Sequence, residues 1–236
     1  METKIWYEQL GYKRNPFTIK PAFFDDEVIG YDKEVDFLVS KLSKDSICFL
    51  EGEYGRGKST IINYIINEFE GRNKIISVSR NKSDRALNYT SLLIKTNNFF
   101  GRLLNIRATN VILIVDEVSK INAKDCEQIE ALFNSKFFKA ILFADISLKN
   151  SHLSDSLKKK IGRNVVSLKE ISAENAVELV KTRMDTKGII SDELIKKIFD
   201  NSNHNIRFLF ENLEKVFKIS FEKGKTKIDE SDLNSI

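Results

Sequence analysis

Short apolar segments recur through the first 168 residues, with helix-like patterns between them. The clearest is Val111–Val115, five consecutive aliphatic residues, which is typical of a strand buried on both faces of a parallel sheet. Four other segments have a similar character: 46–50, 74–79, 140–143 and 164–168. Helical patterns lie between them, including 93–104 and 126–138. This alternation predicts an α/β fold with a parallel sheet flanked by helices.

The pattern changes after Leu168, where no further strand is predicted. Ser172 looks like a helix N-cap before an amphipathic run, and two further helices are predicted to start at Ser191 and Asn205. Residues 229–236 fit one more short helix. We therefore predict two domains, an α/β domain over 1–170 with a leader segment over 1–28, and a small all-helical domain over 171–236.

The composition excludes several classes of protein. No apolar run approaches the roughly 20 residues needed to span a bilayer, and the N-terminus lacks the apolar core of a signal peptide. The 2 Cys residues cannot form a disulfide framework, and the 2 His residues are too far from them for a metal site. We expect a cytoplasmic protein without a membrane partner.

The net charge of +4 is concentrated in one short stretch of the sequence. Residues 149–171 contain 6 Lys and Arg against 2 Asp and Glu, so they account for the whole excess. A global basic surface for nucleic acid is therefore excluded, although a local basic patch stays open.

Residues Gly52–Ser59 match G-x-x-x-x-G-K-S, the spacing of a phosphate-binding loop (Walker A). Glycines let backbone N–H groups point at phosphate oxygens, Lys58 supplies charge to the β- and γ-phosphates, and Ser59 offers a hydroxyl to Mg²⁺. The helix that follows adds its N-terminal dipole. The motif predicts ATP and Mg²⁺ as cofactors, with these nucleotide-binding residues: Gly52, Glu53, Tyr54, Gly55, Arg56, Gly57, Lys58, Ser59 and Thr60.

The strand Val111–Val115 ends in two acidic residues, Asp116 and Glu117. Open α/β sheets bind ligands at the carboxyl ends of their strands, so we expect Asp116 to hold Mg²⁺ there. Glu117 is placed to orient and deprotonate the attacking water. A buried strand that ends in acidic residues (the Walker B pattern) is weak evidence for a nucleotide site on its own. It is strong evidence when it lies downstream of a phosphate loop.

Together these motifs resemble those of the AAA+ ATPases, above all the archaeal and eukaryotic origin-recognition initiators and related archaeal ATPases. Four further segments are similar to that branch: 10–17, 28–34, 171–178 and 205–207. The resemblance implies a P-loop NTPase with a helical lid, and ATP bound between the two domains. It also implies that Ile29 or Tyr31 contacts adenine and that Arg207, in the second-sensor position, reaches the γ-phosphate.

The chain departs from the family pattern at several positions. The first-sensor residue, commonly Asn or Thr, falls on Asp145 or on Ser147, and an acid there is unfavourable near the γ-phosphate. Tyr54 replaces a frequent proline, and His204 replaces the usual glycine before the second sensor. We also expect the initiators' C-terminal winged-helix domain to be missing, which removes the main reason to infer sequence-specific DNA binding.

The basic stretch over 151–163 has three interpretations. In AAA+ rings an arginine near this region completes the neighbouring subunit's ATP site, and Arg163 is the first candidate for such an arginine finger. The alternatives are a solvated helix face, which we favour, and a nucleic-acid patch formed by Lys158–Lys160 with Arg163.

The favoured hypothesis is an ATP-hydrolysing AAA+ switch in DNA replication initiation or another DNA-associated process. Its partners would be ATP and ADP, with double-stranded DNA or a DNA-bound protein, and a homo-oligomer is compatible with the motifs. Two alternatives stay open: a nucleotide-dependent assembly switch with little turnover, and a helper ATPase for DNA transposition.

Overall fold

The computed structural model describes residues 5–19, 28–80, 87–186 and 188–236; part of the leader segment predicted over 1–28 lies outside these ranges. The chain divides into two units. The sheet unit comprises Asp32–Tyr54 and Lys58–Leu168. The helical unit comprises residues up to Tyr31, Gly55–Gly57 and Lys169–Ile236. The leader and three residues of the phosphate loop therefore group with the C-terminal helices.

Five strands form one parallel sheet, as the apolar segments predicted. They are β1 Ile47–Glu51, β2 Lys74–Ser79, β3 Val111–Asp116, β4 Phe138–Asp145 and β5 Val165–Ser167. Their order across the sheet is β2-β3-β4-β1-β5, and every pairing is parallel. The central strands are almost entirely buried, because helices cover both faces of a parallel sheet.

Ten α-helices accompany the sheet in the described part of the chain. They are α1 Trp6–Gln9, α2 Asp32–Leu42, α3 Lys58–Phe69, α4 Tyr89–Lys95, α5 Phe99–Leu103, α6 Ala123–Asn134, α7 Asp155–Ile161, α8 Ala173–Arg183, α9 Asp192–Asn201 and α10 Ile206–Glu222. Short 3-10 helices occur at Val118–Lys120 and Glu230–Ser235. Helices α2–α7 belong to the sheet unit, and α1 and α8–α10 to the helical unit.

Two helix predictions in the sheet unit were wrong in extent. The helix predicted over 93–104 is two helices, because the Asn98 side chain accepts a hydrogen bond from the N–H of Gly101 and starts α5 anew. The helix predicted over 126–138 ends at Asn134. Lys136 then adopts a left-handed φ of 62°, which turns the chain into β4.

Helix α5 exposes its large apolar side chains and turns a glycine inward. Its inward position is Gly101, where an added Cβ would lie 2.4 Å from Asn97 Nδ2. Its large apolar residues point outward: Phe99, Phe100 and Leu103, followed by Leu104, are each 66–70% exposed. An ordinary surface helix buries such residues.

A buried ion pair links β2 to α6. Arg80 directly follows β2, and its guanidinium lies 3.0 Å from the carboxylate of Asp125, with both side chains at most 1% exposed. The N–H of Arg80 also donates to the carbonyl of Asp116 at the end of β3. Asp125 in turn accepts hydrogen bonds from the N–H groups of Leu87 and Asn122. The pair therefore joins three segments of the sheet unit.

The helical unit is held by an aromatic cluster on α10. Trp6 of α1 stacks on Phe17 with a centroid distance of 5.7 Å, and Phe17 contacts both Phe210 and Phe217. Ser172 caps α8 as predicted, and Ser191 and Asn205, where two further helices were predicted to start, cap α9 and α10. No helix among the described residues is long and apolar enough to cross a membrane.

Candidate functional site

The predicted phosphate loop connects β1 to α3, with Lys58 as the first residue of the helix. Gly55 and Gly57 adopt left-handed φ values of 82° and 91°, which a side chain would disfavour. The Nζ of Lys58 donates to the carbonyls of Gly52 at 2.5 Å and of Glu53 at 3.0 Å. The lysine thus curls back over the start of the loop, and it lies next to the helix N-terminus where a phosphate would bind.

The register of the strands brings polar residues to one edge of the sheet. Ser79 is paired with Asp116, and Glu51 with Asp145, at the carboxyl ends of their strands. Glu117 follows Asp116 in a left-handed conformation with φ 58°, and its N–H donates to the carboxylate of Asp116 at 2.9 Å. This turn leads the Glu117 carboxylate towards β2, where it accepts a hydrogen bond from the hydroxyl of Ser79 at 3.0 Å.

The charges at this edge perturb one another. Burial lowers the pKa of Lys58 from its ordinary value, while the nearby carboxylates of Asp116, Asp145 and Glu117 oppose that shift. Burial likewise raises the pKa of Asp116, assisted by the negative charge of Glu117 and Asp145 and opposed by the N–H of Glu117 and by Lys58. One cation therefore lies among three carboxylates at a sheet edge that is partly removed from water.

Asp145, predicted as the first-sensor residue, is buried at the end of β4 with 7% of its surface exposed. Its carboxylate accepts hydrogen bonds from the backbone N–H groups of Ser119 and of Ile146. The first of these bonds anchors the 3-10 turn that follows Glu117. The carboxylate is therefore engaged with the backbone around the acidic pair.

Two polar residues of this edge were not singled out from the sequence. Ser79 contacts Glu117, as described above, and Glu51 accepts hydrogen bonds from the hydroxyl of Ser167 at 2.6 Å and the N–H of Leu148 at 3.0 Å. Ser79 is the last residue of a predicted strand, and Glu51 directly follows another. That position was a usable signal, because carboxyl ends of parallel strands meet at one edge.

The middle of the phosphate loop packs against the start of α10 within the helical unit. An added Cβ on Gly55 would lie 2.2 Å from Asn205 Oδ1, and one on Gly57 would lie 3.7 Å from the ring of Tyr31 and 4.0 Å from Ile206. Tyr31 is buried, and its hydroxyl donates to the carbonyl of Lys169 at 2.7 Å. The loop is therefore in direct contact with the predicted second-sensor segment.

Arg56 turns its side chain away from the loop. Its guanidinium donates to the backbone carbonyl of His204 and to the carboxylate of Glu170, both at 2.7 Å, and its side chain is only 10% exposed. The prediction that Arg56 contacts nucleotide through the loop concerns its backbone N–H and stays a prediction. Its side-chain partners were not predicted.

The other predicted residues are placed as follows. The guanidinium of Arg207 donates through Nε to Glu211, one turn further along α10, at 2.9 Å. Arg163 is exposed in the turn between α7 and β5, and Ile29 is half-buried. Ser59 is exposed and Thr60 half-buried in the first turn of α3, while Glu53 and Tyr54 are exposed. Their assigned roles stay predictions.

The residues present fit Mg-ATP. Gly55 and Gly57 have left-handed φ values and no side chains, so phosphate can approach the backbone N–H groups at these two positions. Ser59 and Asp116 supply a hydroxyl and a carboxylate oxygen, the ligand types that Mg²⁺ takes alongside substrate phosphates. Lys58 supplies the cation.

No family model matches the sequence, and no curated protein does either. Solved structures do match the fold. The Orc1 protein of Aeropyrum pernix in complex with DNA superposes with a TM-score of 0.73 at 14% identity, over 94% of this chain and 68% of that one. Cdc6p from Pyrobaculum aerophilum gives 0.69 at 12% identity over 92% and 68% of the two chains.

The Thermotoga maritima RuvB Holliday junction branch migration motor gives a TM-score of 0.65 at 17% identity, over 87% of this chain and 68% of that one. At these identities the likeness concerns the fold. The chain has the fold of the AAA+ ATPases Orc1/Cdc6 and RuvB, which confirms the predicted α/β P-loop architecture and the structural resemblance to initiators.

Proposed function

We propose that this chain binds Mg-ATP at the loop Gly52–Ser59 and hydrolyses it as a conformational switch in a DNA-associated process. The observation that carries the proposal is the arrangement behind the loop. Lys58, with its pKa lowered by burial, lies among the carboxylates of Asp116, Glu117 and Asp145. Such a constellation directly after a glycine-rich turn suits a polyphosphate with a divalent cation.

In this proposal each residue has a defined task. Lys58 leaves the carbonyls of Gly52 and Glu53 and contacts the β- and γ-phosphates. Ser59 and Asp116 hold Mg²⁺, which neutralises phosphate charge when bound. Glu117 accepts the proton of the attacking water. Because Glu117 accepts a hydrogen bond from Ser79, it has to exchange that partner before it can act.

The DNA association rests on the comparisons and on charge. Orc1 was solved in complex with DNA, and RuvB is a Holliday junction branch migration motor. This chain carries its basic excess at 149–171, which includes Lys159, Lys160 and Arg163, all exposed. We infer that this segment contacts the phosphate backbone of DNA, that the protein acts as a cytoplasmic ATPase, and that assembly into a homo-oligomer uses Arg163 or a neighbouring cation in trans.

A second candidate function is an assembly switch with little turnover. Asp145, in the first-sensor position, already accepts two backbone hydrogen bonds. Glu117 is likewise engaged, by Ser79. Both features oppose rapid hydrolysis, while the phosphate loop that binds nucleotide is unaffected.

The test is the steady-state ATPase rate with and without double-stranded DNA, together with ATP binding. Lys58→Ala should lose ATP affinity, and Glu117→Gln should keep affinity and lose turnover. A rate stimulated by DNA supports the first function, and its loss on neutralising Lys159 and Lys160 supports the assigned contact. Tight binding with a near-zero rate, unaffected by DNA, supports the assembly switch. Equal ATP affinity in wild type and Lys58→Ala would refute both.

A further inference from the structure

The side chain of Arg56 lies inside a defined network although its position is in the phosphate loop. Its two hydrogen bonds are 2.7 Å long, the length typical of charge-assisted bonds. By contrast, the side chain of Arg72, in the turn after α3, is 64% exposed and pairs with Glu68 of that helix. Burying a guanidinium against two acceptors is a stronger constraint than a surface ion pair of that kind.

Glu170 links Arg56 to His204. One carboxylate oxygen of Glu170 accepts from Arg56, and the other lies 3.1 Å from Nδ1 of His204. These two hydrogen bonds, first that of Arg56, hold the pKa of Glu170 below its ordinary value. Glu170 is thus an ionised bridge between the loop and the turn before α10.

His204 occupies a backbone conformation that favours glycine. Asn203 and His204 have φ values of 51° and 53°, a left-handed region that non-glycine residues adopt only at an energetic cost. A glycine would relieve the strain at 204 but would lose both ring contacts, since Nε2 of His204 also lies 3.1 Å from the carboxylate of Asp200. The contacts of the His204 ring with Glu170 and Asp200 therefore offset the energetic cost of its left-handed backbone conformation.

Asn205 completes the link to α10. Its side-chain oxygen accepts from the N–H groups of Arg207 at 3.0 Å and Phe208 at 3.3 Å, which caps the helix. The same oxygen is so close to Gly55 that a Cβ there would lie 2.2 Å away. A shift of the loop at Gly55 has to move the cap of the helix that carries Arg207.

We propose that Arg56 is a positioning residue that ties the phosphate loop, through Glu170 and the carbonyl of His204, to the N-terminus of α10. Nucleotide held by the loop then tightens the cap at Asn205 and places Arg207. This inference rests on the proposed nucleotide site, and it assigns to Arg56 a task separate from phosphate contact.

The experiment measures hydrogen exchange of the Arg207 and Phe208 amides, the two that the Asn205 cap protects, with and without Mg-ADP. In the wild type, Mg-ADP should slow their exchange by at least 5-fold, which is the lower end of typical coupling between sites. In Arg56→Met, measured at a Mg-ADP concentration that saturates the variant, the slowing should fall below 2-fold. Arg56→Lys should be intermediate, because lysine can reach one acceptor but lacks the planar fork.

Two variants separate this role from folding. Arg72→Met removes an arginine of the surface pair and should behave as wild type. His204→Gly relieves backbone strain, so it should keep or raise the melting temperature while still reducing the Mg-ADP effect on the two amides. Wild-type slowing in Arg56→Met with Mg-ADP bound would overturn the inference.

The outcome also distinguishes this inference from the proposed function. If the wild type binds no Mg-ADP, the proposed function fails. The link from Arg56 to α10 is then tested on the nucleotide-free protein. There, Arg56→Met and Glu170→Ala should each speed exchange of the two amides, and the double variant should be no faster than either, because both remove one link. Unchanged exchange of the two amides in these variants would overturn the proposed link from Arg56 to α10.

Discussion

Replacing Asp125 by asparagine removes the negative partner of the buried ion pair in the sheet unit. The 3.0 Å separation from Arg80 corresponds to an attraction of about 5 kcal/mol at an effective dielectric constant of about 20. The variant takes the charge of Asp125 away from a buried guanidinium, which lowers the free energy of unfolding by about 3–5 kcal/mol. With a urea m-value of about 3 kcal/mol/M, the midpoint should fall by about 1–1.7 M.

The chain offers a reporter for this unit alone. Its only cysteines, Cys48 and Cys126, are both buried in the sheet unit, and burial raises the pKa of Cys48 to about 11. Cys48 therefore reacts with a thiol reagent only after the unit opens. Pulse labelling of Cys48 across a urea series, read by mass spectrometry, gives the midpoint without interference from Cys126 beside the substitution.

The matched control is Asp45→Asn. Asp45 pairs with Lys136 at 2.6 Å, but both side chains are more than half exposed, so its midpoint should not move measurably. Combining Arg80→Met with Asp125→Asn should restore part of the stability, since the buried charge is removed together with its partner. Equal midpoints for Asp125→Asn and Asp45→Asn would refute the reasoning.

Three other perturbations test the candidate site. Ser79→Ala frees the carboxylate of Glu117 from a 3.0 Å hydrogen bond; ATP turnover should rise about 2- to 10-fold at unchanged ATP affinity, the equivalent of one such bond, and a lower rate in a steady-state assay would contradict this. Burial raises the pKa of the Asp116 carboxyl above 3.8, so the folded protein is less stable when this group is ionised, and stability is lost as pH rises through the folded-state pKa. Asp116→Asn removes that ionisation and should therefore stabilise the nucleotide-free protein at pH 7 but not at pH 3. Urea titrations followed by circular dichroism measure the difference. Gly55→Ala should lower the urea midpoint of Trp6 fluorescence more than Gly188→Ala, because both glycines have left-handed φ values but only Gly55 meets a neighbour within 4 Å; equal shifts would show that the contact with α10 is unimportant.

Much of the fold follows from local patterns that tertiary contacts did not override. The segment predicted over 74–79 coincides with β2, and Ser172, Ser191 and Asn205 cap the helices that they precede. Uninterrupted apolar runs and capping side chains act on residues close to them in sequence. The strands and helix starts that they produce can therefore be predicted from the sequence. The loop glycines and the acidic pair Asp116-Glu117 belong to the same class, because spacing along the chain determines which atoms they present.

What could not be predicted depends on contacts between distant residues. The pairing of Arg56 with Glu170 joins positions 114 residues apart, and neither residue carries a signal of its own. The hydrogen bond from Ser79 to Glu117 depends on strand register and on the left-handed turn at Glu117. Asp145 was predicted as a polar sensor, yet its interaction with the N–H of Ser119 depends on the path of a short turn.

The exposed apolar side chains of helix α5 change how variation in related sequences can be interpreted. Its one position under a folding constraint is Gly101, since any side chain there meets Asn97. Phe99, Phe100 and Leu103 are about two-thirds exposed, so polar replacements at these positions cost the fold little. In a collection of homologues, drift towards polar residues at these three positions is the neutral expectation. Retention of large apolar residues there would instead record selection for an interaction outside the chain.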